Sequence, residues 1–247
     1  MLLKSIPEAP EFAWPARFLY SYAWRFVGWI LEGHANLREA LARAAPRGVR
    51  RALYLTERVA EIPFVIRALQ LPVGSRIMDI GSRWSPLPLF LAAMGYDVVA
   101  VDLAPFPIAG SGPDFVLADL RQPPFKEGTF DAATIVSTLE HVGLGYYDPR
   151  RGPEDDVRLM SDLRGLIRPN GKVVLTVPYG KPDADAHQRA YDRERLQRVT
   201  SGWAWDSARY AVRDGIAWRD GTESEAARVQ SVPETRAVAM LVLRKLG

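Results

Sequence analysis

The sequence predicts an α/β protein built on a mostly parallel sheet with helices on both faces. Three observations carry that expectation. From Arg76 onward, short β-rich runs alternate with helical stretches, the pattern of strands joined by crossover helices. The first unit, RIMDIGSRWSPLPLFLAAMGYDVVAVDL over residues 76–103, reads as strand, turn, helix and second strand. The chain has 247 residues, 48% hydrophobic and 25% charged, which is ordinary for one large globular domain with a sizeable core.

Before the sheet, residues 12–31 (FAWPARFLYSYAWRFVGWIL) place Phe18, Tyr22, Phe26 and Ile30 four apart, as on one helical face. Pro15 suits a first turn, while Gly28 and Gly33 weaken the far end. Arg17 and Arg25 interrupt the run, so a membrane span is a poor reading. This segment is expected to pack on the main domain, to cover an apolar ligand, to lie at an interface, or to form a homodimer contact. A second helical region over about residues 35–70 carries Arg43, Arg47, Arg50, Arg51 and Arg58, read as a solvated face. Residues 1–72 are thus expected to be a helical extension or lid, and residues 73–247 the main domain.

The strand candidates follow in order as RIMDI, VVAVDL, DFVLADL, FDAATIVS and GKVVLTVP, and then two runs near WAWDSARYAV and RAVAMLVLRK. The polar segment between the last two holds no obvious long helix, so they are expected to pair antiparallel at the sheet edge.

Charge and cysteine usage bound the chemistry. A net charge of +3 and a pI of about 9.2 permit an anionic partner without demanding nucleic acid, and none is expected. The chain contains no cysteine, which removes disulfides, thiolate metal sites and a cysteine nucleophile together. The amino terminus lacks the features of a secretory signal, and the protein is expected to be cytoplasmic.

In an open α/β sheet, ligands bind beyond the carboxyl ends of the strands, where the first strand-to-helix turn offers backbone N–H groups. Gly81 stands where a side chain would keep a ligand out. A dinucleotide fingerprint would need glycines at 83 and 86, but the chain has Arg83 and Pro86, which weakens a reading as a nicotinamide-dependent oxidoreductase. A cofactor without phosphates fits better. Asp102 closes the second strand 21 residues after Gly81, placed to accept hydrogen bonds from ribose hydroxyls, and Asp119 ends the next strand where an adenine amino group would be read. With Asp79, these acids suit an adenosyl ligand that is also cationic.

In order and spacing, RIMDIGS, VVAVDL, FVLADL, FDAATIVSTLEHV and LIRPNGKVVLTVP, over about residues 76–178, resemble the class I S-adenosylmethionine-dependent methyltransferases. The resemblance implies a Rossmann-like sheet of seven strands, mostly parallel with the last reversed, and S-adenosyl-L-methionine as cofactor. It implies that Asp79 and Gly81, with Ser82 and Arg83 in the turn, shape the methionine end. Asp102 and Leu103 would take the ribose, Asp119 and Leu120 the adenine, and Ser137 would lie near the sulfonium. The chain departs from the family's Asp-x-Gly-x-Gly-x-Gly at Arg83 and Ser85, and Arg83 becomes a candidate partner for the methionine carboxylate. The stretches EHVGLGYYD and VPYGKPDADAHQRAYDRERLQ further resemble small bacterial methyltransferases of saccharide and natural-product modification.

Methyl transfer from a sulfonium is an in-line displacement, favoured by alignment and exclusion of water. A hydroxyl acceptor must also lose a proton, and His141, directly after the fourth strand, is the first candidate for general base. Glu140 and His187 are candidates to orient it or to bind the acceptor. Tyr146, Tyr147 and Tyr191 are candidate walls for an acceptor ring or sugar, and surface or core aromatics explain them equally well. Glu140-His141 is similar to the Glu-x-x-Glu-His element of ubiquinone-type methyltransferases, but Ser137 replaces the first acid, so no metal is assigned. The function expected is methyl transfer to a small-molecule or saccharide acceptor, on oxygen. The alternative is a non-catalytic adenosyl-binding module that recruits a partner through its aromatic amino-terminal segment.

Overall fold

The computed structural model describes residues 56–83, 85–105, 112–147, 152–215, 217–232 and 234–246. The aromatic stretch at 12–31 and the arginines at 43, 47, 50 and 51 lie outside them. Among the described residues no helix is long and apolar enough to cross a membrane.

The elements in chain order are α1 (Arg58–Leu69), β1 (Arg76–Ile80), α2 (Leu87–Ala93), β2 (Asp97–Asp102), β3 (Asp114–Leu117) and β4 (Phe130–Val136). A 3-10 turn (Leu139–His141) follows, then α3 (Asp155–Leu166), β5 (Ile167–Pro178), β6 (Asp183–Ala184), β7 (Arg189–Ala190) and α4 (Arg193–Val199). The chain ends through β8 (Trp203–Asp214), β9 (Ala217–Gly221), α5 (Glu223–Ala226) and β10 (Ala237–Lys245).

The main sheet runs β3-β2-β1-β4-β5-β10-β8-β9. Its first five strands are parallel, and β10 inserts antiparallel to β5 and to β8. The two carboxyl-terminal runs therefore pair antiparallel as the sequence suggests. The sheet has eight strands rather than seven, because AWRDG in the polar segment before β10 folds back on β8 as an antiparallel edge strand. That strand has few apolar residues, and its pairing comes from the tight turn after Asp214, including Gly215 at φ +58°, rather than from alternation.

The period of two divides each central strand between two cores. Met78, Ile80, Ala133, Ile135, Val173, Leu175 and Val177 face one way, with Leu159, Leu163, Leu196 and Val199 of α3 and α4. Ile77, Ala132, Val136 and Val174 face the other way, toward Phe64, Val65 and Leu69 of α1 and Leu87 and Leu91 of α2. Each such buried Val, Leu, Ile, Phe or Met side chain contributes about 1.5–3 kcal/mol of transfer free energy. Lys172 Nζ donates to the carbonyl of Leu69 at 2.9 Å, satisfying a terminal acceptor of α1 and fixing that helix across β5.

A candidate cofactor and acceptor site at the strand carboxyl ends

On the α1 side, the apolar alternation breaks at three central positions. Asp79 of β1 and Thr134 of β4 are partners in the parallel ladder, and the Thr134 hydroxyl donates to Asp79 Oδ1 at 2.5 Å. Thr176 of β5 pairs with Val136 and accepts from the backbone N–H of Ser137 at 3.1 Å. Glu61 of α1 is fully buried against this row and accepts from the Ser137 hydroxyl at 2.7 Å. Arg58, one helical turn earlier, donates to the Val136 carbonyl at 2.8 Å and lies 3.5 Å from Glu61. Arg58 is therefore not part of a solvated face, as the charge run alone suggests; it reaches over the end of β4.

Burial dominates the electrostatics here. It raises the Asp79 carboxyl to about 7, against the lowering effects of the Thr134 hydrogen bond and Arg58. Burial likewise raises Glu61 above the usual carboxylate range, partly offset by Arg58.

The turn after β1 begins with Gly81 at φ +80°, and a Cβ built there would stand 2.2 Å from Thr138 Oγ1. Glycine is required on both counts. Ser82 is buried, and its hydroxyl has no hydrogen-bond partner. At the end of β2, Asp102 accepts from the backbone N–H of Arg83 at 3.0 Å on one oxygen and from Ala104 at 3.0 Å on the other. Each oxygen retains acceptor capacity toward a hydroxyl pair. Leu103 beside it is about half exposed.

Asp119 is held differently. Arg121 donates to it from Nε at 2.9 Å and from Nη2 at 2.8 Å, and its backbone N–H adds a bond at 3.0 Å. An adenine amino group would share this carboxylate with a guanidinium, which the isolated spelling VLADL does not reveal. Leu120 packs against the larger core with its side chain half-buried.

Beyond β4, Ser137 adopts φ +43° and starts the turn that presents Glu140 and His141. His141 Nδ1 lies 2.6 Å from the carbonyl oxygen of His187, so Nδ1 carries the proton and Nε2 keeps its lone pair. Nε2 stands 3.8 Å from Glu140 Oε1. Burial lowers the imidazole to about 4, and it pushes the Glu140 carboxyl well up. The Oε2 atom of Glu140 is buried and has no hydrogen-bond partner.

His187 sits on the loop between β6 and β7, where Asp185 accepts from the backbone N–H groups of His187 at 2.7 Å and Gln188 at 2.8 Å. Its Nε2 meets the Tyr147 hydroxyl at 3.1 Å, and its ring packs on His141 with centroids 4.5 Å apart and on Tyr146 at 4.8 Å. Tyr146 and Tyr147 expose more than half their surface. The fold thus gathers His141, His187, Tyr146 and Tyr147 into one aromatic cluster. Tyr191 lies elsewhere: it is fully buried, and its hydroxyl donates to Asp156 at 2.9 Å within a network with Arg189 and Arg195. It belongs to the core rather than to an open wall, because its spacing from His187 crosses β7 and turns it inward.

Glu61, Arg58, Thr134, Thr176 and Asp185 escape a reading by strand-end motifs. The signal for the threonines is present, since each interrupts an otherwise apolar alternation. Glu61 lies within RVAEIPFVIRAL at a position that α1 buries, but nothing local says what it meets.

A sheet of this order with β10 reversed, and a site at the carboxyl ends of β1, β2 and β4, define the class I methyltransferase fold. Residues 78–175 match the family model described as a methyltransferase domain. Among curated relatives, a demethylmenaquinone methyltransferase of Clavibacter sepedonicus is 30% identical over 134 residues, covering 51% of this chain and 50% of that protein. A ubiquinone biosynthesis O-methyltransferase of Xanthomonas axonopodis pv. citri is 27% identical over 125 residues, covering 47% and 48%. The chain thus spans about half the length of the curated relatives it matches. Among solved structures, the N-methyltransferase NodS from Bradyrhizobium japonicum, in complex with S-adenosyl-L-homocysteine, shares the fold with a TM-score of 0.54 at 13% identity, over 76% of this chain and 87% of that one.

The residues present fit S-adenosylmethionine. Asp102 has capacity for the ribose hydroxyls, Gly81 opens the turn, and the orphaned Ser82 hydroxyl and Glu140 carboxyl lack the partners that buried polar atoms require. That cofactor would supply an electrophilic methyl group.

Proposed function

We propose that this chain transfers a methyl group from S-adenosylmethionine to an oxygen of a small-molecule or saccharide acceptor, with His141 taking the acceptor proton. The observation that carries this reading is the 2.6 Å contact from His141 Nδ1 to the His187 carbonyl, which leaves Nε2 as the acceptor just beyond β4. Asp79, Gly81, Ser82 and Arg83 hold the methionine end, Asp102 and Leu103 the ribose, and Asp119 and Leu120 the adenine. Ser137 borders the sulfonium, while Tyr146, Tyr147 and His187 line the acceptor side. The printed names of the two curated relatives, one of them an O-methyltransferase of ubiquinone biosynthesis, support a small acceptor.

One observation favours the second reading, an adenosyl-binding module without turnover: burial leaves the His141 imidazole a weak base, at about 4. Radiolabelled S-adenosylmethionine with a panel of phenols, quinols and saccharides separates the two. Labelled product that disappears in His141→Ala, with cofactor affinity retained, supports the enzyme. Cofactor binding without product across the panel supports the module.

A further inference from the structure

The weak base and the orphaned carboxyl are neighbours. Glu140 is almost fully buried, with Oε1 3.8 Å from the His141 Nε2 lone pair and Oε2 bonded to nothing. The facing turn after β1 holds a second buried polar atom without a partner, the Ser82 hydroxyl. The two turns touch, since Gly81 closes against Thr138. Glu61 adds a third carboxyl from α1, after Asp79 and Glu140, and Arg58 is the cation that acts on all three. Among the described residues Arg58 is the cation acting on these buried carboxyls, so burial favours the uncharged form of Glu140 until a further cation enters.

We propose that Glu140 receives the α-ammonium group of the cofactor's methionine moiety through Oε2, losing its proton to solvent as it does so, and that the resulting carboxylate makes His141 a competent base. This rests on the reading of the chain as an S-adenosylmethionine-binding protein and adds a subsite and an order of events to it. The proton balance is simple: one proton leaves the carboxyl for buffer, and the ammonium keeps its own. The carboxylate then stands beside Nε2, where it favours the imidazolium formed when His141 takes the acceptor proton. The base is armed when the donor is present.

The groups facing Glu140 are Glu57 at the amino-terminal cap of α1, Arg58 and Glu61 from α1, His141 beside it, Tyr147 from the following loop and Tyr191 from beyond β7. Both tyrosines are pushed above their ordinary range and stay neutral near pH 7. Burial holds Glu61 up as well, but both of its oxygens already face partners, Ser137 and Arg58. Among the described residues, Glu140 Oε2 is the buried carboxyl oxygen without a hydrogen-bond partner.

Titration calorimetry of the full chain at pH 6.5, in two buffers of different ionisation enthalpy, reads the proton directly. S-adenosylmethionine and S-adenosylhomocysteine should each release about one proton per chain, while 5′-methylthioadenosine, which lacks the amino-acid end, should release none. Glu140→Gln, the isostere of the protonated side chain, should bind S-adenosylhomocysteine about tenfold or more weakly and without release. In the S-adenosylhomocysteine complex, the His141 imidazole resonance should titrate at least about one pH unit higher than in the free protein, and Glu140→Gln should abolish that change. Binding without proton release, release unchanged in Glu140→Gln, or a His141 titration indifferent to ligand overturns the proposal and leaves the cofactor reading standing. Absence of binding by either adenosyl amino acid overturns both.

Discussion

Thr134 and Asp79 are direct partners in the ladder between β4 and β1, and the threonine hydroxyl donates to the aspartate across 2.5 Å on a core face where Thr176 and Glu61 are also buried. This places an acid beneath the cofactor turn instead of an aliphatic side chain. Burial raises its proton affinity to about 7, so the folded protein holds a proton there that the unfolded chain gives up near 4. For an acid raised on folding, stability is full below the unfolded value and falls as pH rises through the folded one. Asp79→Asn should therefore leave stability nearly unchanged at pH 4 and raise it at pH 8, by up to about 4 kcal/mol. Urea midpoints of both proteins at the two pH values check this, and equal differences at both would refute it.

His141 should contribute in the opposite sense. Its imidazole is lowered to about 4, so between the unfolded value near 6.5 and that point the unfolded chain binds more protons, and stability falls as pH falls. Relative to wild type, His141→Gln should lose less stability between pH 7 and pH 4.5, a difference on the order of 2–3 kcal/mol. Parallel denaturation profiles of the two proteins over that range would contradict the burial of a neutral imidazole.

Asp102→Ala removes the acceptor of two backbone N–H groups as well as the expected ribose contacts. Cofactor affinity should fall by about 1.5–3 kcal/mol, the range for hydrogen bonds to a charged group. Calorimetry on the folded variant measures it, and unchanged affinity would remove Asp102 from the ribose site.

How much of this was legible beforehand varies with the range of the interaction. Alternation and strand-end acids identify β1 to β5, Asp79, Asp102 and the Glu140-His141 turn, because a period of two and the polarity of an α/β sheet are local properties. The eighth strand was hidden, since AWRDG pairs through a hairpin and lacks the apolar pattern of a central strand. Arg58 and Glu61 were hidden too, because their roles arise where α1 crosses the ends of β4 and β5. Wall and core stay undecided for Tyr191 in the sequence for a related reason: a tyrosine four residues from His187 shares its segment but not its exposure, and the Asp156 partner that draws it inward is 35 residues earlier.

That partnership gives the last prediction. Tyr191 is fully buried, with its hydroxyl on Asp156 Oδ2 at 2.9 Å, while Arg195 donates to the same carboxylate at 2.8 Å and Arg189 lies 3.0 Å from it. Arg189 also donates to the Val142 carbonyl, so the network pins the segment that leaves His141. Tyr191→Phe removes one hydrogen bond and leaves a buried carboxylate with two guanidinium partners, a loss of about 1–2 kcal/mol in stability. Asp156→Ala removes the carboxylate shared by Tyr191, the partly exposed Arg195 and the buried Arg189, and should cost about 3–5 kcal/mol. If Tyr191 is core, Tyr191→Phe should leave S-adenosylmethionine affinity unchanged and should alter no acceptor's KM, with the effect confined to the unfolding midpoint. If the tyrosine instead meets the acceptor, KM should rise while the midpoint stays where it was, and the two measurements together discriminate between a structural and a binding role.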